Sequence, residues 1–133
     1  MARKNESVTL TTMCMITDPS TGEVLVQERI KSWTGCAFPG GHLEPGEAIL
    51  DSAIREVWEE THIKVKNIRY FASQPWPYPC GLMVGFIAEY DSGDIQLQRS
   101  ELNKGGWYSR DNMPAIPGEV SLARHLIDHW LAQ

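Results

Sequence analysis

The sequence predicts an α/β fold in which a mixed β-sheet carries helices packed against it. Three observations lead there. The segments run in the order strand, strand, helix, several strands, helix. Residues 82–90, LMVGFIAEY, are nearly continuously apolar, as a central strand is. The chain from residue 121 onward is amphipathic at helical spacing. A length of 133 residues suffices for one core, and no repeat, low-complexity tract or linker divides it, so residues 1–133 are expected to form a single domain.

Each element has its own justification. VTLTTMCMIT (8–17) and VLVQERI (24–30) read as strands joined by DPSTG, whose Asp18, Pro19 and Gly22 are turn formers. KSWTGCAFPGGHLEPGE (31–47) is broken by glycine and proline and reads as a loop. A helix is expected from about Glu47 to Thr61, with Leu50, Ala53, Ile54 and Val57 as its apolar stripe and Glu56 and Glu60 on another side. KNIRYFAS (66–73) and LMVGFIAEY (82–90) are the next strands. Between them QPWPYPCG (74–81) is not expected to pair, because alternate prolines remove ladder donors. DSGD (91–94) is a turn, GGWYS (105–109) a short strand, and SLARHLIDHWLAQ (121–133) a closing helix with Leu122, Leu126 and Trp130 on one side.

Composition narrows the partners. A net charge of −5, with no Lys/Arg cluster longer than ARK, argues against a broad nucleic-acid footprint. The opening MARKNESVTL contains no apolar run of signal-peptide length and nothing approaches a membrane span, so a cytoplasmic protein without a membrane partner is expected. Cys14, Cys36 and Cys80 are unevenly spaced with no C-x-x-C pair, which argues against disulfides and against zinc. They read as half-buried thiols in a reducing compartment. An acidic protein that handles a phosphate compound needs a cation between its carboxylates and the phosphate, and a divalent metal is the simplest candidate.

REVWEETHI (55–63) crowds Glu56, Glu59 and Glu60 into little more than one helical turn. Like charges at that spacing each destabilise a helix by roughly 0.2–0.5 kcal/mol. A hard cation binding to the gathered carboxylates would relieve the repulsion; the alternative is a solvated acidic face. The wider pattern favours the first. GHLEPGEAILDSAIREVWEETHI (41–63) resembles the Nudix box, G-x5-E-x7-R-E-U-x-E-E-x-G-U with U a bulky aliphatic residue. Gly41, Glu47, Arg55, Glu56, Val57, Glu59, Glu60 and Ile63 match, and FPG precedes them.

The resemblance implies a Nudix α/β/α sandwich and a metal-dependent hydrolase of nucleoside diphosphates linked to another group. It implies that Glu56, Glu59 and Glu60 bind Mg²⁺ or Mn²⁺, with the Gly40 carbonyl as a further ligand. Arg55 would hold Glu59 by a charge-assisted contact, and Gly41 and Glu47 would support the loop–helix junction. His62 departs from the pattern, standing where the family has glycine. A left-handed helix end is expected there, at a cost of roughly 1 kcal/mol for a side-chain-bearing residue.

SQPWPYPCG (73–81) resembles S-Q-P-W-P-F-P-x-S, the motif that follows the box in the NADH diphosphatase subfamily, with Tyr78 for Phe and Gly81 for Ser. The likeness implies a substrate-binding segment of Gln74, Pro75, Trp76, Pro77, Tyr78, Pro79, Cys80 and Gly81. It also implies that Glu101, in SEL, completes the metal site. The general base stays open among the box glutamates and Glu101. Prolines that fix φ can hold Trp76 and Tyr78 as a stiff wall for a base or nicotinamide ring. The subfamily forms homodimers in which the partner's segment near the position of Ala123 reaches the site, which brings Ala123 into the binding set.

The expected substrate is thus an NADH- or NAD-type dinucleotide, cleaved to nicotinamide mononucleotide and AMP, with a nucleotide-capped RNA end as the single nucleic-acid partner. The subfamily's zinc ribbon is absent from this chain. Its first third looks more like small Nudix proteins that hydrolyse nucleoside triphosphates such as 8-oxo-dGTP, which is the alternative. A nucleotide-binding module without catalysis is a third reading, disfavoured because every box glutamate is present. His125 and His129 lie four apart on the last helix but lack a third ligand, and His42 beside the box reads equally as a phosphate contact or a loop residue.

Overall fold

The structure, a computed structural model, describes residues 9–29, 35–76, 81–96, 102–111 and 122–132. Its elements in chain order are β1 (Thr9–Thr17), β2 (Val24–Arg29), β3 (Gly35–Ala37), β4 (Gly40–His42), α1 (Ile49–Thr61), β5 (Lys64–Trp76), β6 (Gly81–Ser92), β7 (Leu102–Tyr108) and α2 (Leu122–Leu131). One sheet contains all seven strands, in the order β3-β2-β1-β6-β5, with β4 also on β1 and β7 also on β2. β1 and β6 run parallel from Thr9↔Gly81 to Thr17↔Glu89, and every other pairing is antiparallel. The sheet is therefore mixed, as the sequence predicts.

Strand alternation produces the sandwich. Cys14 and Ile16 of β1, Leu25 of β2, and Val84, Phe86 and Ala88 of β6 pack with Ala53 and Val57 of α1. Their neighbours Met15, Val24, Val26 and Ile87 face the other way and pack with Leu122, Leu126, Ile127 and Trp130 of α2. Successive side chains of a strand point to opposite faces. β6, buried on both, accordingly reads as a continuous apolar run. Trp130 donates its indole N–H to the Gly22 carbonyl at 3.1 Å, and the Arg110 guanidinium lies over its ring. The 18–22 turn forms as predicted: Asp18 Oδ1 accepts from Ser20 N at 2.9 Å, and Gly22 takes φ +78°.

Four local readings need correction. The 31–47 segment is not all loop, because it supplies β3 and β4. Both are three residues long, shorter than the run over which alternation is visible. The 74–81 segment is not wholly unpaired: Gln74, Pro75 and Trp76 continue β5, opposite Met83, Leu82 and Gly81. β5 lies at the end of the strand order, where proline is tolerated because a missing N–H on the outer side removes no ladder bond.

The helix starts at Ile49, not Glu47; Glu47 N bonds the Glu44 carbonyl at 3.0 Å in a turn containing Gly46 at φ +78°. Finally, Leu50 and Ile54 are not part of the buried stripe. They are 43% and 42% exposed, while Ser52, Ala53, Val57, Glu60 and Thr61 are buried. α1 lies against the glycine strand β4, and its inner face is chosen for small size and a specific carboxylate contact, neither of which hydrophobic periodicity registers.

Two of the closing-helix leucines test this packing. Leu126→Ala should cost about 2–5 kcal/mol in urea unfolding, because Leu126 is fully buried, whereas Leu131→Ala, at 39% exposure, should cost under about 1 kcal/mol. Equal losses would contradict the placement of α2.

Candidate active site

β4 and α1 make the site by close approach. β4 pairs with β1 through Thr11↔His42, Thr12↔Gly41 and Met13↔Gly40. A Cβ at Gly40 would collide with the Thr12 carbonyl, and one at Gly41 would collide with Glu56 Oε2. Glycine at 41 thus lets the Glu56 carboxylate lie against the strand. The Gly40 N–H donates to Glu60 Oε2 at 2.8 Å, and Glu60 is only 4% exposed. That bond explains how a glutamate can face the core side of the helix.

Arg55 gathers the remaining acids. Its Nε donates to Glu47 Oε2 at 2.7 Å and its Nη2 to Glu47 Oε1 at 3.2 Å, a bidentate fork. Nη1 donates to Glu56 Oε1 at 2.8 Å and to both oxygens of Glu59 at 3.0 and 3.1 Å, while Nη2 also reaches the His42 carbonyl at 3.2 Å. Glu44 stands 3.4 Å from Nη1, and its N–H donates to Glu47 Oε1 at 3.1 Å. One guanidinium therefore joins the end of β4, the turn and two turns of α1.

The carboxylates differ electrostatically. The Arg55 hydrogen bond lowers the Glu47 pKa below the ordinary value, aided by the Glu44 N–H. Burial raises the Glu56 pKa, with Arg55 opposing and the charges of Glu59 and Glu47 adding to the rise. The Arg55 pKa is itself raised, chiefly by Glu47.

A hard divalent ion prefers such oxygen donors, and the tight seat of Glu56 against Gly41 suits a carboxylate whose charge a cation compensates. The donor chemistry fits Mg²⁺ or Mn²⁺. Among the described residues, however, no three His, Cys, Asp or Glu side chains close on a common point, and Arg55 sits between Glu56 and Glu59.

His62 takes φ 61° and ψ 28°, the left-handed end expected there, and its N–H bonds the Trp58 carbonyl at 2.8 Å. Its ring meets Trp58 edge-on at 5.0 Å, and Nδ1 lies 3.3 Å from the Gln96 carbonyl, a bond that needs the proton on Nδ1. These contacts offset the strain of a non-glycine residue, and the Glu60–Gly40 bond forms regardless.

The second motif shares an end of the sheet with the first. Register aligns His42, Thr11, Met83 and Gln74 in one row across four strands. The row spans about 14 Å from His42 to Gln74 at the usual strand spacing. Gln74 Oε1 accepts from the Leu122 N–H at 2.8 Å, so this residue holds the start of α2, a role the sequence did not suggest. Gly81 pairs with Trp76 on one side and Thr9 on the other.

Pro77, Tyr78, Pro79, Cys80 and Glu101 lie outside the described residues, and Trp76 is described by its backbone alone. Ala123, expected at the site through the partner, lies away from the carboxylates of its own chain. It is buried in the α2-side core with Met15 and Val24, on the opposite face of the sheet. His129 packs on Phe71 at 5.2 Å, and Trp107 and Tyr108 join the α1- and α2-side cores respectively.

The sandwich and the glutamate-bearing helix define a class, and the comparisons name it. The NUDIX domain family matches residues 8–130, and the chain belongs to that family. It is 49% identical over 89 residues to the NAD-capped RNA hydrolase NudC of Chromobacterium violaceum, covering 67% of this chain and 34% of the relative. It is 43% identical over 111 residues to that of Erwinia tasmaniensis, covering 83% and 42%. The chain thus spans less than half the length of these curated relatives. A NUDIX hydrolase from Nitrosomonas europaea shares the fold at a TM-score of 0.80 and 20% identity, over 98% of this chain and 73% of that one.

The pKa directions predict opposite effects of two isosteric changes. The stabilisation from Glu47, whose folded pKa is depressed, is present above its unfolded value and lost as pH falls through the folded one. Glu56 runs the other way, its ionised form costing stability once pH rises through its raised folded value. Near neutral pH without metal, Glu47→Gln should lower the melting temperature and Glu56→Gln should leave it unchanged or raise it. The Glu47 effect should vanish in acid. The reverse order in scanning calorimetry would contradict these assignments.

Proposed function

We propose that this chain is a metal-dependent Nudix diphosphohydrolase acting on an NADH- or NAD-type dinucleotide, yielding nicotinamide mononucleotide and AMP. The observation that carries the reaction class is the Glu56–Glu59–Glu60 face of α1, bound to Arg55 and to the Gly40 N–H. The substrate class draws on the SQPWPYPCG segment and on relatives named NAD-capped RNA hydrolase. An RNA end bearing the same dinucleotide is a substrate of the same chemistry.

Glu56, Glu59 and Glu60 would hold Mg²⁺ or Mn²⁺, with the Gly40 carbonyl and Glu101 as further ligands. Such an ion neutralises charge on the diphosphate oxygens and acidifies water. The chain's own residues do the rest. Arg55 keeps Glu56 and Glu59 side by side, so binding does not have to order two free side chains. The base that accepts the proton of that water lies among the box glutamates and Glu101. Water adds across the P–O–P linkage: one phosphorus takes the hydroxyl, and the other phosphate leaves with the bridging oxygen.

The Gln74–Trp76 end of β5 and Gly81 of β6 would position the nucleotide, with the 77–80 stretch between them. Among the described residues no helix is long and apolar enough to cross a membrane. The buried Cys14, its pKa pushed up to about 12 by desolvation, is an unreactive thiol. A cytoplasmic setting fits both.

The deciding assay offers NADH, NAD, dGTP and 8-oxo-dGTP with each metal and identifies the products. Nicotinamide mononucleotide plus AMP is expected; a nucleoside monophosphate plus pyrophosphate would replace the dinucleotide reading with a triphosphate one. Glu59→Gln and Glu60→Gln should each lower kcat at least about 100-fold with the fold intact. Trp76→Ala should raise KM for the dinucleotide more than for a triphosphate, and equal effects on both would argue against ring binding there.

A further inference from the structure

Arg55 Nη1 has more acceptors around it than protons to give. It carries two of the guanidinium's N–H groups. Three oxygens already crowd them, Glu56 Oε1 at 2.8 Å and both of Glu59 at 3.0 and 3.1 Å. A fourth, Glu44 Oε1, stands at 3.4 Å, and the Glu44 carboxylate accepts no hydrogen bond among the described residues. The other edge of the guanidinium is committed elsewhere: Nε and Nη2 donate to Glu47, and Nη2 also to the His42 carbonyl.

On the function proposed above, Glu56 and Glu59 ligate a divalent ion. Nη1 and that ion then claim the same carboxylate oxygens. Lone pairs turned toward a metal are withdrawn from Arg55, and the fixed Glu47 edge stops the guanidinium from following them. A charged donor stripped of its acceptors is costly, more so than a neutral one. Loading the site therefore needs a new acceptor for Nη1.

We propose that Glu44 is a positioning residue that receives Arg55 Nη1 when Glu56 and Glu59 turn to the cation. This rests on the metal seat of the proposed function and adds a residue to it. The local fold is built for the exchange. Residues 44–47, EPGE, form a turn closed by the Glu47 N–H on the Glu44 carbonyl at 3.0 Å, with Gly46 at φ +78°. Proline second and positive-φ glycine third is the pattern of a type II turn, which holds its two end residues side by side.

Those ends are the two glutamates. Glu47 takes the Nε–Nη2 edge, and Glu44 faces Nη1. The Glu44 N–H also donates to Glu47 Oε1 at 3.1 Å, which ties its backbone to the same cluster. Its carboxylate has only about half an ångström to close for an ordinary N–H···O bond. Without metal it contributes little, because its side chain is 63% exposed and three nearer oxygens hold Nη1. Its role begins on loading, which separates it from a merely structural residue.

Electron paramagnetic resonance of free Mn²⁺ measures the affinity without turnover. Glu44→Gln should leave the metal-free melting temperature within about 2 °C and weaken Mn²⁺ binding about 5-fold. Unchanged affinity would overturn the proposal. A bare negative charge also attracts cations, so a double-mutant cycle decides the cause. In an Arg55→Gln background, Glu44→Gln should change the affinity by less than about 2-fold. An undiminished 5-fold loss there would assign the effect to plain attraction and overturn the hand-over.

Should Arg55→Gln misfold, crystals of the unaltered chain grown with Mg²⁺ decide. Nη1 hydrogen-bonded to Glu44 and released from Glu59 supports the exchange. Nη1 still on Glu56 and Glu59 beside a bound ion refutes it and leaves the metal seat standing. No ion bound by the unaltered chain in either measurement would remove the seat itself, and this proposal with it.

Discussion

The Arg55 guanidinium is the junction on which the site depends, because its donors bind three carboxylates and a backbone carbonyl from separate parts of the chain. Without it Glu47 in the turn and Glu56 and Glu59 on α1 would face one another as uncompensated like charges. The Arg55–Glu47 fork and the bond to Glu56 are part-buried and charge-assisted, so they are screened less than an isolated surface ion pair. Lysine could supply the charge but not the planar fork that spans Glu47 on one edge and Glu56 with Glu59 on the other. The geometry of the acids is thus a property of one side chain's shape.

The same economy of contact governs β4. Two adjacent glycines face two different obstacles, a strand carbonyl and a carboxylate, so neither can be replaced without moving backbone or the site. α1 is held near enough for Glu60 to reach the Gly40 N–H, and that proximity excludes bulky residues from its inner face. Leucine and isoleucine are displaced outward as a consequence. The left-handed His62 closes the helix where glycine would be cheaper, and Trp58 and the Gln96 carbonyl hold its ring.

Much of this was legible in the sequence. The continuous apolar run of β6 marks the central strand and the closing-helix spacing of Leu122, Leu126 and Trp130 marks the α2 layer, since each reflects burial averaged over a long element. The box spacing brings Glu56, Glu59 and Glu60 to one helix, and the Arg55–Glu59 contact follows from their separation of four. What stayed hidden rests on single contacts. β3 and β4 are too short for a period, the pairing of Pro75 depends on β5 being an edge, and the outward turn of Leu50 and Ile54 depends on tertiary closeness. Gln74 reads as a ligand contact in a motif, yet its amide oxygen caps α2. The role of Glu44 at Arg55 has no signal beyond its neighbourhood.

The central claim is that the gathered acids are a seat for a divalent cation. Paramagnetic broadening by Mn²⁺ in the amide NMR spectrum tests it without reference to turnover. The account predicts selective loss of signals from Gly40, Gly41 and residues 55–60, reversed by excess Mg²⁺ and absent in Glu56→Gln with Glu59→Gln. Broadening centred elsewhere, or none with a dinucleotide present, would contradict it.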